Sequence, residues 1–343
     1  MIWWFACQSP DTDDVTAVIE GPHAVLTTAS TDYSVGSLAL VSLDDLVVHD
    51  DVAPTSGDPV VVVDGGVVVQ LNRYNYDTLR AYTPGDYRAP TADLQLPDRS
   101  NPYDTAFCGG LAFTALYDAD HLVVHDPDGW VEVGQVALDA FDDGDGVGPE
   151  PASVMAWDGS LYVAMQRRQR DEDWVPLQGA IARVDCASLT VVESWPLGTN
   201  LRLTADADGA PVAFGAPFEA EAGGLWRLVP EPTRLYASAG PVLDGVAIVG
   251  GTAVVSAHDA DTWAATIGCV DLASGAFTLG EATEAFVVSV QADPRGRAWV
   301  LKRSGWLDPD ANPAEIGLWD PGSCTETASL PTSLEPFSVG FVP

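Results

Sequence analysis

The chain alternates short apolar runs with small glycine-centred turns, and the alternation repeats. "PVVVVDGGVVVQL" is followed by "YDTAFCGGLAFTAL", "ASVMAWDGSLYVAM", "LRLTADADGAPVAF", "GVAIVGGTAVVSA" and "VVSVQADPRGRAWVL". The last turn glycines are Gly66, Gly110, Gly159, Gly209, Gly251 and Gly296, separated by 44, 49, 50, 42 and 45 residues. These runs are rich in Val, Ala, Leu and aromatics and are bounded by Gly, Pro and Asp, so they read as strands paired in hairpins. A third run ends in an acidic turn, as in "TLRAYTPGD", "HLVVHDPDG", "AIARVDCASL", "TIGCVDLASG" and "EIGLWDPGSC". A fourth follows, as in "VEVGQVAL", "TVVESWPL" and "TETASLP". Four strands per unit at this period is the pattern of a β-propeller blade.

Six copies are plain, and "HAVLTTASTDYSVGSLALVSLDDLVVHDD" supplies strands two to four of a seventh. Its first strand has two candidates. "EPFSVGFVP" at the C-terminus resembles the blade-opening "NPYDTAF", whereas "VTAVIEGP" lies just upstream. Closure by the C-terminal strand is the expected arrangement, because it removes exposed edges from the ring. The expectation is an all-β, seven-bladed propeller of four-stranded antiparallel blades over residues 23–343, with residues 1–22 outside it.

The length of 343 residues admits one large all-β domain, and a hydrophobic fraction of 47% excludes disorder for most of it. Fifty acidic residues against 15 basic ones give a net charge of −35, with Lys302 as the single lysine. Such a surface repels phosphate backbones and excludes nucleic acid as a partner. The excess acid reads either as a solubility adaptation or, in part, as a cation site.

Five cysteines occur, Cys7, Cys108, Cys186, Cys269 and Cys324, without the spacing of a zinc site. With Cys7 set aside, four remain, which fits two disulfides in an oxidising compartment or four buried thiols. On the blade map, Cys108–Cys186 and Cys269–Cys324 is the expected one of three connectivities, since it joins adjacent blades.

Loops after the second strand and loops between blades share one face, the one where propellers usually carry function. Aligning the ends of the second strands places Arg73, Tyr117, Arg167, His258 and Arg303 together as a candidate ligand-binding ring at the channel mouth. Such a ring suits a carboxylate or other anion. Alternatively, the arginines pair with nearby acids such as Asp77, Asp171 and Asp308 and fix loops. His258 and Asp259 form a weak pair with no nucleophile motif beside them.

Two segments around the fourth unit depart from the repeat. "FDDGDGVGPEP" gathers Asp142, Asp143, Asp145 and Glu150 on a glycine-rich loop, a candidate calcium site or a solvated acidic turn. "RRQRDEDWVPLQGA" is the longest loop, and its Arg168, Arg170 and Trp174 are a candidate contact surface. Trp174 fits equally a lid folded back on its own blade. At the N-terminus, "MIWWFAC" has the small residue before cysteine that lipid attachment at Cys7 requires. Its apolar run is short for a signal and lacks a basic start, so the alternatives are a longer true leader upstream of Met1 or a frayed terminus.

The runs "NRYNYDTLRAY", "SNPYDTAFCGGLAFTALYDADHLVVHDPDG" and "PEPASVMAWDGSLYVAMQRRQRDEDWVP" resemble YncE-type propellers of bacterial surface and periplasmic proteins, above all the lipoprotein-type members common in myxobacteria. The resemblance covers residues 23 to 343 and implies fold and an extracytoplasmic address. No site residues of quinoprotein dehydrogenases or streptogramin lyases, which share the architecture, map onto this chain. The leading expectation is therefore a monomeric, non-enzymatic, membrane-tethered module outside the cytoplasm that binds a protein partner or small ligand. The alternatives are an enzyme of lyase, hydrolase or oxidoreductase type with a polar site at the channel mouth, and a Ca²⁺-stabilised adhesive module.

Overall fold

A computed structural model describes residues 18–142, 144–215, 224–237, 242–258, 265–283, 285–304 and 313–343, with Val242, Asp244 and His258 described by backbone alone. These residues form seven four-stranded antiparallel sheets and one two-stranded ribbon. The sheets are the blades of a propeller. Their innermost strands, in ring order, are Glu335–Val342, Pro59–Asp64, Pro102–Cys108, Pro151–Trp157, Leu201–Ala205, Val242–Val249 and Phe286–Ala292.

The ring closes as expected. Strand His23–Ala29 pairs antiparallel with Glu335–Val342 over its whole length, from His23 opposite Val342 to Ala29 opposite Glu335. The first blade thus joins the two ends of the described chain, and His23–Ala29 is paired on both sides. The rival segment has another place: Ile19 N donates to Gly85 O at 3.0 Å, and Val18 bridges Asp86, so this stretch lies against a turn of blade 2.

The core is a ring of seven apolar clusters, each wedged between two neighbouring blades. Phe113, Leu122 and Val124 of blade 3 meet Val154, Leu161 and Val163 of blade 4. Leu38 and Leu40 face blade 2, while Ala39 and Val41 on the same strand face blade 7. Middle strands are therefore buried on both faces and read as unbroken apolar runs such as LALV. The outermost strands are half wet, as in Val131–Ala137, where only Val136 is buried.

Polar side chains clasp the inner strands to each other. Ser338 Oγ accepts from Val61 N (2.7 Å), Asp64 Oδ2 from Phe107 N (2.8 Å), and Asp104 Oδ2 from Val154 N (2.8 Å). Each bond crosses from one blade to the next and satisfies an N–H that faces the channel.

Both expected disulfides are present. Cys108–Cys186 ties blade 3 to blade 4 and Cys269–Cys324 ties blade 6 to blade 7, with Cα–Cα distances of 5.9 and 5.8 Å. They sit in the clusters between those blades, at the ends of strands opposite the inter-blade loops.

Candidate functional site

The innermost strands open at the loop face with a recurring pattern: a polar residue, Pro or Leu, then a residue that lines the channel. Glu335-Pro336-Phe337, Asp58-Pro59-Val60, Asn101-Pro102-Tyr103, Glu150-Pro151-Ala152 and Asn200-Leu201-Arg202 share it. Proline suits the first strand residue because it needs no ladder donor there. The polar residue before it captures a side chain or backbone group of a neighbouring loop.

Two of the expected ring arginines are captured in this way. Arg73 Nη2 lies 2.5 Å from Asp58 Oδ1, and its guanidinium stacks 4.3 Å from the Tyr103 ring. Burial works against that charge, but Tyr103 and Asp58 hold the Arg73 guanidinium above its usual range. Arg303 Nε lies 2.5 Å from Glu335 Oε2, Nη1 donates to Tyr33 Oη at 2.5 Å, and the Tyr33 and Phe337 rings lie 4.8 and 4.6 Å away. The pairing acids are thus Asp58 and Glu335. Asp77 instead accepts the backbone N–H of Arg99 and Asn101, each at 2.8 Å, and Asp308 lies outside the described residues.

Tyr117 joins this system. Its ring stacks on Tyr103 with centroids 4.4 Å apart, and its hydroxyl donates to Gln166 Oε1 at 2.8 Å. Burial pushes the Tyr117 phenol up, so it stays protonated and acts as a donor.

Arg167 does not belong to the ring. Its Nε donates to Phe141 O (3.0 Å) and its Nη1 to Gln178 O (3.1 Å), so it tethers two loops away from the channel. The structural counterpart of Arg73 and Tyr117 is Gln166: each donates its backbone N–H to the strand-opening residue, Asp58, Asn101 and Glu150 respectively. The spacing carried this signal. Arg73, Tyr117, His258 and Arg303 all stand seven residues after their turn glycine, whereas Arg167 stands eight after Gly159. His258 ends its strand at the same level, but its side chain and Asp259 lie outside the described residues.

The long loop of blade 4 packs onto this arc. It forms a ribbon, Arg168–Gln169 with Val175–Pro176, around a short 3₁₀ turn. Arg170 bridges Asp118 (2.5 Å) and Glu150 (2.9 Å), and its guanidinium lies 5.4 Å from the Tyr117 ring and 4.7 Å from Trp174. Burial opposes the charge, and the two carboxylates hold the Arg170 guanidinium above its usual range. Arg168 Nη2 donates to Asn200 Oδ1 at 2.6 Å, reaching blade 5. Trp174 covers Arg170 with one face and remains 47% exposed.

The candidate calcium loop is used differently. Glu150 is fully buried and turned to the arginines, with Oε1 taking Arg170 Nε and Oε2 accepting Arg168 N at 2.8 Å. Asp142 accepts Gly144 N, and Asp145 accepts Val147 N and Arg170 N, so these carboxylates brace the turn. Among the described residues no three His, Cys, Asp or Glu are gathered as a metal ion needs; Asp143 lies outside them, as does Cys7.

The channel behind this rim has a volume of about 1170 Å³. Its mouth bears Tyr33, Tyr74, Tyr76 and Phe286, which are 45%, 69%, 52% and 38% exposed, and its wall bears a third guanidinium, Arg202. Aligning the closing ends of second strands missed Tyr103, Phe337 and Arg202. Aligning the opening ends of first strands, NPYD with EPFS and NLRL, brings all three to one level.

No protein-family model and no curated protein matches this sequence. Solved structures do share the fold. A putative 6-phosphogluconolactonase from Bacteroides uniformis superposes with a TM-score of 0.65 at 11% identity, covering 94% of this chain and 99% of that one. A protein from Lactobacillus plantarum gives 0.63 at 15% identity over 94% and 99% of the two chains. A chain of the mitotic checkpoint complex gives 0.59 at 11% identity over 82% and 80%. At these identities the likeness extends to architecture alone: the chain is a seven-bladed β-propeller.

Proposed function

We propose that this propeller is a non-enzymatic recognition module working outside the cytoplasm, with the loop face around the channel mouth as its binding surface. The observation that carries this reading is the rim itself. Tyr33, Tyr74, Tyr76, Phe286 and Trp174 stay exposed on one face, while the neighbouring Arg73, Arg170 and Arg303 are tied to carboxylates. Exposed aromatics held on rigid, ion-paired supports are the composition of an interface centre. The paired arginines shape the rim and do not act as free cations.

The address rests on separate observations. Two inter-blade disulfides belong to an oxidising compartment, and the resemblance to YncE-type lipoproteins points the same way. In this reading Cys7 carries a lipid, and replacing it with Ser in the expressing cell moves the protein from the membrane to the soluble fraction. Retention of Cys7→Ser on the membrane overturns the tether.

The binding reading is tested by a thermal-shift screen of sugars, organic anions and metal ions on the wild type and on a Tyr74→Ala/Tyr76→Ala/Trp174→Ala variant. A ligand that raises Tm in the wild type and not in the variant is the expected result. Hits that ignore the three substitutions, or no hit at all, contradict it. A Tm rise with Ca²⁺ that chelator reverses favours the adhesive alternative.

A further inference from the structure

Three guanidiniums line the channel, and their surroundings differ. Arg73 is neutralised by Asp58 and Arg303 by Glu335. Arg202 also lines the channel, yet no described carboxylate comes within ion-pair distance of it. It is half-buried on the innermost strand Leu201–Ala205, one residue in from the loop face. In a chain with 15 basic residues against 50 acidic ones, a guanidinium with no carboxylate partner among the described residues stands out from its neighbours.

The register sets what surrounds it. Arg202 follows Leu201, as Tyr103 follows Pro102 and Phe337 follows Pro336, so these three side chains belong to one level of the channel wall. That level carries two aromatic rings, each backed by a stacked and neutralised arginine. Val60 shares that level; further in, the wall mixes Val62 and Met155 with Asp64 and Asp104, whose carboxylates accept the backbone N–H of Phe107 and Val154. Arg202 therefore supplies one positive charge and a planar fork of donors on the wall of a channel that carries Tyr103 and Phe337 at the same level on other blades. A guanidinium so placed pairs best with a carboxylate, which it engages through two parallel hydrogen bonds.

We infer that the channel mouth binds a small aromatic carboxylate, with Arg202 as the residue that holds the carboxylate and the wall at the level of Phe337 and the edge of Tyr103 holding the ring; both faces of Tyr103 are taken by Arg73 and Tyr117. This deepens the recognition-module reading and rests on it. The large negative charge of the protein opposes approach of any anion at low salt, but beyond about 8 Å it is screened at 0.15 M ionic strength. Selectivity therefore comes from the contact with Arg202 and not from the global field.

The test is isothermal titration of benzoate and 2-naphthoate against benzamide and 2-naphthamide at pH 7 in 0.15 M NaCl. Each acid is expected to bind about tenfold more tightly than its amide. Arg202→Gln is expected to erase that preference, Arg202→Lys to weaken it several-fold, and Arg99→Gln, on the exposed surface, to leave it unchanged. Equal affinity for acid and amide, an acid preference that survives Arg202→Gln, or no binding of either acid overturns the inference. A sugar that binds through Tyr74, Tyr76 and Trp174 while the acids bind no better than the amides sinks the carboxylate and leaves the loop-face reading standing. Carboxylate binding that follows Arg202, beside a screen whose hits ignore the three aromatic substitutions, does the reverse.

Discussion

Arg303 and Glu335 show how one residue of the rim depends on another. Their side chains are 9% and 8% exposed, so truncating one leaves the other as a buried, unpaired charge. Arg303→Met is expected to cost about 3–5 kcal/mol, whereas Arg303→Met with Glu335→Gln recovers most of the loss. Denaturant titration of both variants checks it; a double variant no better than the single one contradicts the pairing. Asp104 makes a pH prediction. Burial pushes its carboxyl up to about 6, with Asp64 adding to the rise and hydrogen bonds from Val154 N, Thr105 N and Ser153 opposing it. A folded-state value above the unfolded one near 4 means that the contribution of Asp104 is full below pH 4 and is lost as pH rises through 6. Serine occupies the matching place in EPASV and EPFSV and accepts the same inter-blade N–H at Ser338, so Asp104→Ser keeps the clasp without the charge. Relative to wild type, that variant should gain about 1–2 kcal/mol between pH 4 and 7, allowing for water in the channel. A constant difference across that range rules out titration of Asp104.

At the scale of elements, the repeat was legible because each blade restates the same two-sided strand pattern, and the turn glycines fix its phase. Gly66, Gly110 and Gly159 adopt positive φ of 77°, 82° and 72°, which other residues resist. The slip at Arg167 shows the limit of comparing strand ends by eye: the terminal arginine of AMQR matched that of QLNR in type but not in count from the turn. Closure was legible through the kinship of EPFSVGF with NPYDTAF. The pairing partners of the arginines were not, because Asp58 lies 15 residues before Arg73 across a strand pairing, and Glu335 lies 32 after Arg303 on the neighbouring blade, placements that only the fold makes. Two experiments belong here. Removing residues 335–343 strips blade 1 of its inner strand and bares the edge of His23–Ala29; the product should aggregate or pair edge to edge, and a monodisperse monomer contradicts the closure. Opening Cys108–Cys186 by the double Ser substitution releases a 78-residue separation, worth about 4 kcal/mol in the chain-entropy account. Calorimetry should show a fall in Tm of about 5 °C.

For the whole molecule, architecture was readable from sequence and the ligand was not, since the proposed binding face draws single residues from loops of different blades. Tyr33, Tyr103 and Arg202 come from three separate repeats, and only the closed ring turns them onto one channel. The charge of −35 acts at the same scale: self-repulsion weakens as salt screens it, so Tm should rise between 10 mM and 1 M NaCl, and a flat or falling profile contradicts that account. The most direct test of the loop-face claim is hydrogen–deuterium exchange mass spectrometry with and without a ligand from the thermal-shift screen. Protection confined to peptides covering residues 73–77, 168–179 and 200–204, with none at the turns around Cys108 and Cys186, is the expected result. Protection at those turns or on the outermost strands, with the loop face unchanged, contradicts it.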